Sequence, residues 1–156
     1  MSEEVRPQAP CRRAFRRFWP VTPRWGDVDV FGHVNNAAFA GWFDTAAVMA
    51  LHEVGAISAR EPRFATLVAE TRTAFFAEVL FMDRVETGLA VARLGRRSVT
   101  WDMGVLREGD ERAAVACRFV HVFADLGTRR PVEVPDDVRE RLSSLVAHQE
   151  AEVAAT

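Results

Sequence analysis

The 156-residue sequence has no lysine, no tyrosine and only two cysteines. Without Tyr, chemistry that needs a phenol is excluded. The two thiols, Cys11 and Cys117, lie far apart, and Cys11 falls in a polar N-terminal stretch. Neither a disulfide framework nor a Cys-rich zinc site is therefore expected, and a reducing compartment fits. Long apolar runs are also missing. The longest charge-free stretch, Val30 to Phe43, contains His33 and two Asn and stops at Asp44, well short of the roughly 18 residues of a membrane span. The start, Met1-Ser2-Glu3-Glu4, lacks the basic residues and apolar run of a secretory leader. These absences predict a cytoplasmic protein with no membrane partner.

All positive side chains other than His are Arg, and 20 of them face 22 Asp and Glu, giving 20 − 22 = −2. So near a balance argues against a nucleic-acid binder. Residues 1–24 carry six Arg and two Glu, a local excess that reads better as a solvated tail leading into an edge strand than as a nucleic-acid arm. With 49% hydrophobic residues, the chain can bury a substantial core, and its length suits one domain. The pattern predicts a tail over residues 1–12, a domain over 13–148 and a C-terminal tail over 149–156.

Phe39, Phe43, Ala46, Ala50 and Val54 recur at helical spacing, predicting a helix over about 35–54. Trp42, Val48, Met49 and Leu51 place apolar groups on its other faces, so it is expected to be buried nearly all round. Alternation then predicts strands over 64–76, 85–94, 98–106 and 113–123, after a first strand near 15–23. Pro135, Asp136 and Asp137 open a short helix with Val138, Leu142, Leu145 and Val146 on one face. The order β-α-β-β-β-β-α lacks the alternation of a doubly wound fold, so the class is α+β. Trp101, Phe119 and Phe123 are assigned to the sheet face away from the helix, where a partner subunit would cover them.

The informative stretch is Trp25-Gly26-Asp27-Val28-Asp29-Val30-Phe31-Gly32-His33-Val34-Asn35-Asn36. It brings two carboxylates, an imidazole and two carboxamides to a helix N-terminus, where unpaired N–H groups carry partial positive charge and can hold a developing oxyanion. Taken alone, Asp and Asn in such a place are more often caps and turn formers.

Asp-x-Asp-x-x-Gly-His-Val-Asn-Asn, followed by Phe39, Trp42-Phe43 and Asp44, resembles the hotdog-fold acyl-CoA thioesterases of the 4-hydroxybenzoyl-CoA thioesterase type, over about residues 15–135. The resemblance implies an antiparallel sheet wrapped around one long central helix. It also implies hydrolysis of an acyl-CoA or acyl-carrier-protein thioester without metal or redox cofactor, and a homodimer or homotetramer with sites between subunits. By the same resemblance Asp29 matches the catalytic carboxylate, and Val34, Asn35 and Asn36 match the helix start that polarises the thioester carbonyl through backbone N–H groups. His33 would orient Asp29 or a water. Arg96-Arg97-Ser98 looks like a basic segment used at the coenzyme A nucleotide, and Arg129-Arg130 is a second candidate. Glu70 is a candidate to face a neighbouring subunit's site, with a salt bridge as the plainer reading, and Asp44 matches a family position suited to packing or pairing. The chain departs from the family pattern at Phe39, where many relatives have Tyr, at Met82-Asp83 in place of Gly-Asp, and in lacking a Pro near Phe76-Ala77.

One carboxylate is enough for this chemistry. A thiol of pKa near 8.5 leaves without a strong general acid, so the acid attacks the carbonyl or activates a water. Two rivals remain at this stage. A hotdog hydratase or dehydratase would have an Asp five residues before a His, whereas Asp29 precedes His33 by four and Asp27 by six. A non-catalytic acyl-thioester-binding dimer is the other.

Overall fold

The computed structural model describes residues 7–58 and 60–147. Its elements are β1 (Arg17–Val21), α1 (Asn36–Glu53), β2 (Ala65–Phe75), β3 (Val85–Leu94), β4 (Ser98–Arg107), β5 (Val115–Ala124) and α2 (Asp136–Ser143), with 3-10 turns at Arg12–Ala14 and Trp25–Asp27. This is the predicted order. The strands form one antiparallel five-stranded sheet in the order β1-β3-β4-β5-β2.

α1 begins where the Asn35 side chain accepts the Ala37 N–H at 2.9 Å, satisfying one of the first amide donors of the helix. It ends at Gly55, whose φ of 69° suits glycine. There Gly55 N–H donates to His52 O and Ala56 N–H to Leu51 O, a paired closure that uses carbonyls of the last turn. Phe39, Trp42, Phe43, Ala46, Ala47, Ala50 and Leu51 are buried against the sheet. Each large side chain there contributes roughly 1.5–3 kcal/mol relative to exposure. The helix is not buried all round, however. Gly41, Asp44, Thr45, Val48 and Met49 are exposed, because the sheet covers only one side of it.

Alternating residues of the strands meet that helix: Leu89 of β3, Trp101 and Met103 of β4, Phe119 and Phe123 of β5 belong to the same buried core as Phe43 and Leu51. The sequence expectation for Trp101, Phe119 and Phe123 is therefore corrected. All three are at most 3% exposed within a single chain, on the helix side of the sheet. Apolar surface in need of cover lies elsewhere, at Val48 and Met49 of α1 and at Leu67, Val68 and Phe75 of β2, the last three 39–51% exposed.

Part of the opposite sheet face is covered by the N-terminal segment, while Arg72, Asp102 and Arg118 leave the rest of it polar and open. Gly88 and Gly104 are register partners on β3 and β4, and Phe15 lies over both. Residues that the sequence assigned to the tail are held here too: Ala113 N–H donates to Pro10 O, Arg12 N–H to Glu111 O, and Arg112 to Ala9 O. A bulge at Val91/Arg93 shifts β3's pairing with β4, and the residues after α2 pair with Val91 from the other side: Val91 N–H donates to Leu145 O and Ala147 N–H to Val91 O.

Candidate active site

The two acids of the motif occupy different environments. Asp27, 5% exposed, ends the 3-10 turn, and its carboxylate accepts the Arg24 backbone N–H at 2.8 Å and the Arg24 guanidinium at 2.8–3.3 Å. The hydrogen bond from the Arg24 side chain holds its pKa below the usual carboxylate value of 3.8, against the opposing effect of burial. Asp27 O also accepts the Asn35 N–H at 2.7 Å, fastening the helix start to the turn. Asp27 is thus committed to structure.

Asp29 opens a tight loop. Its N–H donates to His33 O at 3.0 Å, the Gly32 N–H donates back to Asp29 O at 3.1 Å, and Gly32 takes φ 90°, which favours glycine. Oδ1 of Asp29 accepts the Phe31 N–H at 2.9 Å, the only hydrogen bond of this carboxylate among the described residues, and the side chain borders a cavity of about 350 Å³. The loop closes with a bridge between Val28 and Val34, and the chain turns directly into α1.

The three amides assigned to the oxyanion are not equivalent. Val34 N–H donates to Val79 O at 2.8 Å and Asn35 N–H to Asp27 O at 2.7 Å, so neither is free to bind a substrate oxygen. The expectation that all three amides are available to a carbonyl oxygen is corrected: of the three, Asn36 alone keeps its N–H unpaired among the described residues. Its N–H is the first of α1, has no acceptor among the described residues, and belongs to a residue lining the cavity beside Asp29 and His33.

The loop between β2 and β3 supplies the opposite wall, with Phe76, Glu78 and Val79. Glu78 Oε1 lies 3.4 Å from His33 Nε2. Sequence reasoning missed Glu78. It stands in a loop without periodicity, 45 positions beyond His33, and the only local signal was the departure from the family's Pro around it.

Arg96, Arg97 and Ser98 do not reach this cavity. The register places Phe75 opposite Val115 and Val115 opposite Val105 at the site's end of the sheet, while Ser98 pairs with Val122 at the other. Seven residues of β4, roughly 23 Å, separate Ser98 from Val105. Arg96 also pairs with Glu133 at 3.1 Å. Glu70 lies exposed at the bulge of edge strand β2, Asp44 is exposed on α1, and Arg129 adopts φ 58° in the turn after β5. Among the described residues, no group of three or more His, Cys, Asp or Glu is placed to hold a metal, and no helix is long and apolar enough to cross a membrane.

The sequence profile of the thioesterase-like superfamily matches residues 23–142. The PA5185 protein from Pseudomonas aeruginosa strain PAO1 is 38% identical, over 90% of this chain and 99% of that one, with a TM-score of 0.86. A thioesterase from Thermus thermophilus, solved with coenzyme A and Zn, is 27% identical over 82% of this chain and 98% of that one, with a TM-score of 0.66. BH1999 gentisyl-coenzyme A thioesterase shares the fold at a TM-score of 0.72, with 21% identity over 81% of this chain and 99% of that one. No curated protein matches the sequence. The chain belongs to the thioesterase-like superfamily: it has the hotdog fold, and its class of reaction is thioester hydrolysis.

Proposed function

We propose that this protein hydrolyses an acyl-CoA thioester, with Asp29 as the catalytic carboxylate and the Asn36 N–H as the oxyanion donor. The observation that carries the reading is their convergence: a carboxylate with one hydrogen bond and the first unpaired amide of an 18-residue helix border one cavity. With the thioester carbonyl placed at Asn36, charge developing on oxygen meets the positive end of α1. Asp29 either attacks the carbonyl carbon, expelling the thiolate and leaving a mixed anhydride for water to cleave, or takes a proton from the attacking water. His33, with Glu78 beside its Nε2, stands where it can orient that water.

The exposed apolar strip of α1 and edge strand β2 supports a homodimer formed through β2, since an unpaired apolar edge is a ready template for a second strand. Within one chain Arg96, Arg97 and Ser98 stand at the far end of β4 from the cavity, so a coenzyme A nucleotide held by them belongs either to a thioester extended along the sheet or to a second subunit's site.

The test is thiol release from aromatic and aliphatic acyl-CoA thioesters and from the matching acyl-carrier-protein thioesters. The reading expects turnover of CoA thioesters. No release from any substrate by a folded protein overturns it.

A further inference from the structure

Resting on the reading of Asp29 and the Asn36 N–H as the reacting pair, we propose that Arg24 and Asp27 are positioning residues for that pair. They fix the loop that carries both groups and cancel a second negative charge beside them. Every contact used here lies within residues 24–36 of one chain.

Two rungs tie the chain entering the loop to the chain leaving it. Asp27 O accepts the Asn35 N–H at 2.7 Å and the Asp29 N–H donates to His33 O at 3.0 Å, with Val28 and Val34 bridged between them. The direction of the Asp27 carbonyl therefore sets where the first amide of α1 stands relative to the Asp29 carboxylate. Arg24 sets that direction. The Asp27 N–H donates to Arg24 O at 2.9 Å, the Arg24 N–H returns to Oδ2 at 2.8 Å, and Nη2 and Nε of Arg24 reach Oδ1 at 2.8 and 3.2 Å. All side-chain hydrogen bonds of this carboxylate among the described residues come from that one residue, and a fork fixes angle as well as distance.

The charge matters as much as the geometry. Val28 is extended, with φ −92° and ψ 136°, so Asp27 and Asp29 project from the same side of the chain. Their Cα atoms are roughly 6–7 Å apart. Left alone, the Asp27 carboxylate opposes negative charge both at Asp29 and on the thioester oxygen, and the guanidinium cancels it. The other ionisable side chains lining the cavity with Asp29 are His33 of the same loop and Glu78 of the loop after β2.

The test is kcat and kcat/KM against pH for wild type, Arg24→Ala, Arg24→Lys, Asp27→Asn and the double variant Arg24→Ala/Asp27→Asn, each checked for fold by circular dichroism. Arg24→Ala should lower kcat by about tenfold with KM nearly unchanged. Its acid limb should move up by about 0.3–1 pH unit, because an unbalanced anion remains beside the site. In Asp27→Asn an unbalanced cation remains, so the limb should move down, and the double variant should return it to the wild-type position. Arg24→Lys keeps the charge without the fork and should restore the limb but only part of kcat. A merely structural pair would not move the limb in opposite directions. Limbs that stay in place, or move the same way in both single variants, overturn the inference. If Asp27→Asn fails to fold, Arg24→Ala set against Arg24→Lys gives the same readout. The amide resonance of Asn36, followed against pH in the same proteins, needs no turnover. Opposite shifts of its midpoint without thiol release by the wild type refute hydrolysis and uphold the positioning pair, whereas turnover with unmoved limbs and midpoints upholds hydrolysis and refutes the pair.

Discussion

The backbone N–H of Val34 donates to the carbonyl of Val79 at 2.8 Å. Two loops distant in sequence are thereby fixed as the facing walls of one site. One carries Asp29 and His33, and the other carries Glu78. Val79, 1% exposed, anchors the second loop in the core.

Glu78→Gln removes the charge beside His33 and keeps an acceptor, while Glu78→Ala removes both. Both partners are substantially exposed, so stability should change little, with Tm moving by no more than about 2–4 °C. The expected outcome is a fall in kcat of about tenfold for Glu78→Ala, with partial recovery in Glu78→Gln and KM nearly unchanged. Unchanged kcat and pH profile in both variants would remove Glu78 from the account.

Trp101 Nε1–H donates to His121 Nδ1 at 3.1 Å, and His121 is 2% exposed. Burial holds its pKa below the usual 6.5, with Asp44 opposing more weakly. Above pH 6.5 both folded and unfolded forms are neutral and the full stability is present. As pH falls below 6.5 the unfolded chain takes up a proton that the folded one resists, so stability declines, by at most about 1.4 kcal/mol per pH unit. His121→Phe should lose this component and cost about 1–3 kcal/mol at pH 8, because Trp101 is left without its acceptor. Denaturant titrations of both proteins at pH 8 and pH 5.5 measure it, and parallel pH dependence would contradict it.

A Cβ at Gly104 would stand 2.5 Å from Cζ of Phe15 and 3.0 Å from Cβ of Ala113. Gly104→Val should therefore push Phe15 off the sheet and cost about 1–3 kcal/mol or more. Gly26→Ala, whose Cβ meets nothing within 4 Å, should stay within about 0.5 kcal/mol of wild type. Comparable losses in the two variants would refute the Phe15 slot.

Val68 on edge strand β2 is 51% exposed beside Leu67. If β2 joins two subunits, light scattering at micromolar concentration should give a dimeric or larger mass for the wild type and a monomer for Val68→Asp. A monomeric wild type would contradict the proposed assembly.

Much of this architecture was legible in the sequence. β3 runs over Val85–Leu94 and α1 over Asn36–Glu53, close to where alternation and helical spacing place them. Alternation shows which residues share a sheet face, but not which face the helix covers, and Trp101, Phe119 and Phe123 were misplaced for that reason. The freedom of an amide was equally hidden. Whether Val34 and Asn35 can bind a substrate depends on the carbonyls of Val79 and Asp27, and Val79 reaches the site only through a long-range contact. Asp27 and Asp29 look alike as sequence, and the guanidinium of Arg24 is what separates them.

The central claim is that the carboxylate of Asp29 performs the chemistry. Comparing kcat/KM for wild type and Asp29→Asn on the best CoA thioester of the panel tests it most directly, with the fold of the variant checked by circular dichroism. Asn keeps an oxygen to accept the Phe31 N–H but can neither attack as a carboxylate nor take the proton. The account predicts a loss of at least about a hundredfold with the fold intact. Wild-type activity in a folded Asp29→Asn protein would contradict it.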